Sequence, residues 1–166
     1  IGVSEIREDL LDEYLYFFRK NFEDYFEEND FEDFTVAIDT ANGATSVIAD
    51  KVFTALGIKH YILNNTPNGT NINDNCGSTH MEMLQKFVVT NKCDIGIAYD
   101  GDGDRCLAVN ERGEIIDGDM ILSLIGSAMK KKGELKNNAI VATVMSNLGM
   151  KKFCEGNDIN FVETKV

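Results

Sequence analysis

Three aspartates alternate with glycine in Asp100-Gly101-Asp102-Gly103-Asp104, and Arg105 follows directly. Carboxylates gathered this closely repel one another, so the turn needs either a cation between them or all three oxygens splayed into water. The two glycines permit a backbone tight enough to aim the three side chains at one point, through conformations that a Cβ would forbid. Ligation by carboxylate oxygen alone suits a hard cation such as Mg2+. Asp100, Asp102 and Asp104 are therefore the candidate metal ligands, and the competing reading is a solvated acidic turn. An apolar strand ending at Tyr99 leads directly into the run.

Two other chemistries use a similar pattern. In a calcium EF-hand, Asp100, Asp102 and Asp104 would be loop positions 1, 3 and 5, with Glu111 at position 12. Position 6 should then be glycine and is Arg105, and strands rather than helices are expected on both sides. In an aspartyl-nucleophile phosphatase of the haloacid dehalogenase type, Asp100 would be the nucleophile and Asp102 the acid/base. Asp104 stands where that family carries Thr or Val, and little chain follows to supply its other motifs.

The elements that must position the loop read as an α/β pattern. Residues 5–26 have helical spacing, with Ile6, Leu10, Leu11, Tyr14, Phe17, Phe18, Phe22 and Tyr25 as a core-facing stripe. The acidic run from Glu23 to Asp33 reads as a solvated connection. Phe34–Asp39 is then a strand, Thr40–Gly43 a tight turn, Ala44–Leu56 a helix stopped by Gly57, and His60–Leu63 a strand. Together they make a β-α-β unit with parallel pairing. A polar loop from Asn64 to Ser78 holds the only proline, Pro67. Thr79 and Glu82 have the spacing of a capping box for a helix to about Thr90 that turns Leu84, Phe87 and Val88 inward. Asp94–Tyr99 is a strand, and Arg105–Val109 with Glu114–Ile116 a hairpin. Beyond Asp117 the pattern starts again: a helix to Lys132 stopped by Gly133, a strand at Ala139–Thr143, a helix at Asn147–Glu155 and a strand at Asn160–Lys165. The expected fold is a three-layer α/β/α domain with a mixed, largely parallel sheet over residues 1–115, followed by an incomplete second α/β unit over 116–166.

Composition narrows the function. With 43% hydrophobic residues among 166, the chain can bury a core. A formal net charge of −12 argues against nucleic acid and against an anionic membrane surface. No apolar stretch approaches the roughly 20 residues of a spanning helix. Ile1 and the absence of a basic, then apolar, leader suggest a piece excised from a longer chain without a signal peptide. Cys76, Cys93, Cys106 and Cys154 form no C-x-x-C pair, and only His60 and His80 are at hand to help build a zinc site. They read as free thiols of a reducing compartment.

Three segments carry a more specific likeness. Tyr99–Arg105 resembles the metal loop of the α-D-phosphohexomutases, Ile38–Ala44 is similar to the strand-turn-helix that opens that family's second domain, and Gly113–Asp119 resembles the entry to its third. They occur in the family's order and spacing, and the resemblance covers essentially the whole chain. The resemblance implies a four-domain cytoplasmic parent acting on a phosphorylated hexose or hexosamine. There, three aspartates hold Mg2+ beside a phosphoserine from the first domain, and a bisphosphate intermediate reorients between two phosphoryl transfers. It further implies that Arg105 donates to phosphoryl or sugar oxygens, although pairing with a neighbouring aspartate would equally occupy it. Ser78, before Thr79-His80-Met81-Glu82, departs from the family's phosphoserine loop and reads as a helix-entry residue. The phosphoserine, the sugar-reading loop and the phosphate-binding domain are expected elsewhere in the parent, so that this piece alone is inactive. Gly69–Asn73 with Cys76–His80 resembles the phosphoglucosamine mutase branch; a phosphomannomutase or phosphoglucomutase, or a non-catalytic metal-binding domain, is the alternative.

Overall fold

The structure, a computed structural model, describes residues 2–5, 7, 9–28 and 31–166. The chain divides into two compact units, Ile1–Ile115 and Ile116–Val166.

In the first unit, β1 (Thr35–Asp39) is buried along its whole length, as a strand covered on both faces must be. β2 (Lys59–Leu63) and β3 (Ile95–Tyr99) flank it, both parallel, with Ile38 opposite Ile62 on one side and Ile97 on the other. β4 (Cys106–Asn110) returns antiparallel along β3, and β5 (Ile115–Ile116) completes the order β2-β1-β3-β4-β5. The sheet is thus mixed, parallel on one side of β3 and antiparallel on the other. Side chains alternate across β1, and this alternation divides the core. Val36 and Ile38 pack with Ala49 and Phe53 of α2 (Ala49–Ala55), whereas Ala37 packs with Leu84 and Val88 of α3 (Glu82–Asn91). Helices on both faces make the three α/β/α layers expected. Leu84 is fully buried against Ala37 and Ala98. Leu84→Ala is therefore expected to cost about 2–5 kcal/mol, the range for a cavity in a packed core, which urea unfolding would register; a loss below about 1 kcal/mol would mean that this layer is loosely packed.

Several local expectations are corrected. The N-terminal helix, α1, spans Asp9–Glu28, so the acidic run begins inside it rather than in a connection. Its apolar stripe faces inward only in part: Leu11 and Phe18 are half-buried, whereas Phe17 is 64% and Leu10 51% exposed. The sheet face on that side is already filled by α2, and Tyr14 and Phe18 line a cavity of about 270 Å³ with Ile48, Val52, Phe53 and Tyr99. Ile6 and Asp30 lie outside the described residues. The helix expected over 44–56 is instead a 3-10 turn, Ala44–Val47, and then α2, with Ile48 at φ −120° between them. Ser46 Oγ donates back to the Gly43 carbonyl and Thr45 Oγ1 to Thr40, a local competition that hydroxyls offer to a forming helix. Gly57 stops α2 at φ +70° as expected. The Thr79/Glu82 capping box does not form. A 3-10 turn, Gly77–Thr79, intervenes, α3 starts at Glu82 with no side-chain cap, and the Thr79 hydroxyl lies 3.2 Å from His80 Nδ1.

In the second unit, β6 (Ala139–Thr143) and β7 (Asn160–Thr164) pair in parallel, Val141 opposite Val162. α4 (Gly118–Lys132) is capped by Asp117, whose carboxylate accepts the Met120 N–H at 2.9 Å, and ends at Gly133, φ +72°. Asn147 caps α5 (Leu148–Gly156) in the same way. Ile140, Met150, Cys154 and Ile159 form this unit's core. Among the described residues no helix is long and apolar enough to cross a membrane.

Candidate metal centre

Adjacent parallel strands deliver their following loops side by side. β1 and β3 are such a pair, Asp39 lying opposite Ala98, so the turn 40–43 and the aspartate loop 100–105 meet at the carboxyl end of the sheet. Their contact is direct: the Ala44 N–H donates to the Gly101 carbonyl at 2.8 Å. On the other side, Ile72 and Asn73 of the long polar loop crowd the Cα of Gly101 so closely that a Cβ there would fall 2.6 Å from Ile72 Cδ1. Gly103 has the separate task of turning the chain, at φ +74°. The two glycines of the run therefore serve different ends, close approach at one and left-handed backbone at the other.

Carboxylate oxygens of Asp100, Asp102 and Asp104 all lie within 4.8 Å of one another, and among the described residues this is the acidic cluster with that geometry. Asp100 is buried, whereas Asp102 and Asp104 are exposed. The Arg105 N–H donates to Asp100 Oδ1 at 3.0 Å and its Nε–H to Oδ2 at 2.7 Å. Burial works to raise the Asp100 carboxyl, but the hydrogen bonds and charge of Arg105 outweigh it and hold that group at about 2. Asp104 is pushed the other way, above its ordinary value, chiefly by the charge of Asp102 and then of Asp100. The cluster thus stores repulsion at its exposed end while its buried end is kept ionised. An ionised carboxylate has about four lone-pair sites, and Arg105 uses two of those on Asp100. Each of the three side chains accordingly retains a free acceptor, and an all-oxygen set of this kind fits a small hard cation.

Arg105 pairs with Asp100, the occupation weighed against a role toward phosphoryl oxygens. Its side chain is nevertheless 64% exposed, and Asp104 Oδ1 lies 3.6 Å from its Nε. Glu111, the twelfth position of an EF-hand, sits apart in the β4–β5 turn with Arg112 at 3.8 Å, and strands β3 and β4 flank the loop. Ser78 is buried in the Gly77–Thr79 turn, not at the start of α3.

Asp39 was not among the candidate site residues. It is fully buried at the end of β1, where Oδ1 accepts the Ala41 N–H and Oδ2 the Gly77 N–H, each at 2.9 Å. The available signal was a carboxylate ending an otherwise apolar strand.

Known proteins show the same arrangement of segments. The family model described as phosphoglucomutase/phosphomannomutase, alpha/beta/alpha domain II, matches residues 12–113, and that of domain III matches residues 117–166. The chain is 54% identical over 136 residues to a phosphoglucosamine mutase of Lachnoclostridium phytofermentans, covering 82% of this chain and 30% of that protein. It is 45% identical over its full length to the phosphoglucosamine mutase of Clostridium beijerinckii, covering 36% of that protein. It therefore spans about a third of the length of these curated relatives. Among solved structures, a phosphoglucomutase/phosphomannomutase family protein of Burkholderia thailandensis superposes with a TM-score of 0.72 at 23% identity, over 95% of this chain and 33% of that one. The Aspergillus fumigatus N-acetylphosphoglucosamine mutase, solved with GlcNAc-6P and magnesium, does so with a TM-score of 0.61 at 23% identity, over 79% of this chain and 30% of that one. With a matching family model over most of its residues, the same α/β/α layers and the aspartate loop at the end of β3, this chain belongs to the phosphoglucomutase/phosphomannomutase family.

Proposed function

We propose that this chain is the metal-holding portion of a cytoplasmic phosphohexomutase that interconverts glucosamine 6-phosphate and glucosamine 1-phosphate, with Asp100, Asp102 and Asp104 as ligands of Mg2+. The observation that carries the reading is the convergence of the three carboxylates within 4.8 Å at the carboxyl end of β3. Residues 1–115 serve as the parent's second domain and residues 116–166 as the beginning of its third. The substrate pair is supported by the curated relatives, which are phosphoglucosamine mutases at 45–54% identity.

Bound here, Mg2+ supplies Lewis-acid polarisation of a phosphoryl oxygen and offsets the charge that gathers on the departing oxygen. The chain's own residues prepare that site. Arg105 keeps Asp100 ionised and fixes its rotamer through two hydrogen bonds. With Nε engaged and the side chain largely exposed, the other guanidinium N–H groups donate to a phosphoryl or sugar oxygen of the bound sugar phosphate. The transferred group passes through a phosphoserine and a sugar bisphosphate, and the serine belongs to another part of the parent. Ser78, buried in a turn, does not take that role, so the 166-residue chain alone is expected to show no mutase turnover.

Discrimination of an amino sugar requires a buried acceptor or carboxylate facing the 2-amino group. Such a partner is left unpaired by glucose or mannose, at about 1–3 kcal/mol or more. The test is kcat/KM of the full-length enzyme on the glucosamine, glucose and mannose phosphates side by side. Glucosamine phosphate is expected to lead by at least about tenfold. A comparable lead for glucose or mannose phosphate would overturn the substrate assignment and leave the metal loop standing.

A further inference from the structure

We infer that Asp39 is a positioning residue for the metal loop: its buried carboxylate ties the turn after β1 to the Gly77–Thr79 turn, and the two turns together hold the backbone that carries Asp100 and Asp102. The inference rests on the Mg2+ reading of Asp100, Asp102 and Asp104.

Asp39 is fully buried, yet among the described residues no lysine or arginine pairs with it. Its two oxygens each accept a backbone N–H at 2.9 Å, one from Ala41 and one from Gly77. A buried carboxylate is costly unless hydrogen bonds satisfy it, and here the two backbone N–H groups do so. Both donors sit in left-handed backbone, Ala41 at φ +53° and Gly77 at φ +74°, and alanine seldom adopts that conformation unaided. The carboxylate thus holds the Ala41 turn in a conformation it would seldom choose alone and ties it to Gly77, where glycine admits the positive φ freely.

Each turn bears on the aspartate loop. The Ala41 carbonyl accepts the Asn73 N–H at 2.9 Å, and Asn73 lies over Gly101 together with Ile72. A Cβ on Gly77 would fall 2.5 Å from the carbonyl oxygen of Tyr99, the residue before Asp100. Ala44, three residues beyond Ala41, donates to the Gly101 carbonyl. Freed from Asp39, the Gly77 and Ala41 turns would relax and Tyr99–Gly101 would lose its walls on both sides. Asp39→Asn leaves the shape nearly unchanged but keeps only one acceptor oxygen. Its NH2 then faces an N–H, so one of the two ties is lost.

Loss of positioning and loss of stability differ in which cation they affect. Mg2+ demands near-ideal octahedral oxygens at about 2.0–2.1 Å, whereas Ca2+ accepts irregular shells at about 2.3–2.6 Å. Mg2+ and Ca2+ affinities are measured by calorimetry on the chain and on Asp39→Asn. The expected result is a fall of about tenfold or more for Mg2+ with a change under about threefold for Ca2+. Equal losses for both ions, or none for either, would overturn the inference. In the unaltered chain, amide exchange at Ala41 and Gly77 should slow on saturation with Mg2+, which keeps the inference testable if the variant does not fold. Unchanged exchange at both amides, with Gly101 and Gly103 protected, would also overturn it. If the unaltered chain binds no Mg2+ at all, it is the metal reading itself that fails.

Discussion

The Asp102→Asn/Asp104→Asn double variant is expected to lose measurable Mg2+ binding and, within the intact parent, to lose orders of magnitude in turnover. The two substitutions leave the backbone, the volume and the pairing of buried Asp100 with Arg105 in place, so the fold gives no reason for the loss. What disappears is anionic oxygen: two of three carboxylates become neutral amides, and a hard cation is held chiefly by charge and by oxygen. The same variant should be more resistant to heat than the unaltered chain when no divalent cation is present. Asp104 is held above its ordinary value by the charges of Asp102 and Asp100, and neutralising the exposed pair removes that repulsion. A lower cation affinity together with a higher cation-free Tm is the signature of a site that trades stability for binding. Calorimetry with Mg2+ and a thermal melt in chelator measure the two halves, and unchanged Mg2+ affinity would be fatal to the metal reading.

Gly43→Ala is expected to have the second largest effect, through shape alone. Gly43 has φ −108°, a conformation open to alanine, so no backbone penalty attaches to the change. Its new Cβ would stand 2.2 Å from the carbonyl oxygen of Gly101 and 2.6 Å from its Cα. Backbone cannot swing aside as a side chain can, and overpacking of this kind costs about 1–3 kcal/mol or more. The residue that must yield lies between two of the proposed ligands. Mg2+ affinity should therefore fall by about tenfold or more, beyond what the stability loss explains. Gly57→Ala is the matching control. It stands at φ +70° with open space around it, so it should lower stability without touching the cation. Calorimetry and urea unfolding on both variants decide the matter, and a Gly43→Ala chain that binds Mg2+ within about twofold of the original would show that the turn does not brace the loop.

Much of this protein is decided by local order in the chain. The alternation of Asp and Gly after an apolar strand identifies the loop, because carboxylates so spaced have few other uses. The repeated strand-helix pattern identifies the α/β class, since periodicity of side-chain burial is a property of neighbours in sequence. Strand bounds such as Ala139–Thr143, and stops such as Gly57 and Gly133, follow from turn chemistry acting over a few residues. The likeness to the family rested on three short segments; the matching family models cover the first two entirely, and their ends fall within the third.

Other features depended on which elements meet. The capping box at Thr79 was plausible by spacing, but Gly77 is bound by Asp39, a residue 38 positions away, and the turn this fixes displaces the helix start to Glu82. The stripe on α1 has the period of a buried helix, yet α2 already covers that side of the sheet, and no pattern within α1 can report the occupancy of its neighbour's face. Arg105 could be placed beside the loop by sequence, whereas its hydrogen bonds to Asp100 depend on how tightly the chain turns between them. Most of all, the role assigned to Asp39 was invisible from residue type, because a carboxylate ending a strand resembles any solvated turn. Only the packing of three loops, brought together by parallel pairing of β1 with β2 and β3, buries that carboxylate against two backbone N–H groups. Sequence order specifies the proposed ligands and the strand that leads into them; long-range backbone contact decides how their loop is held.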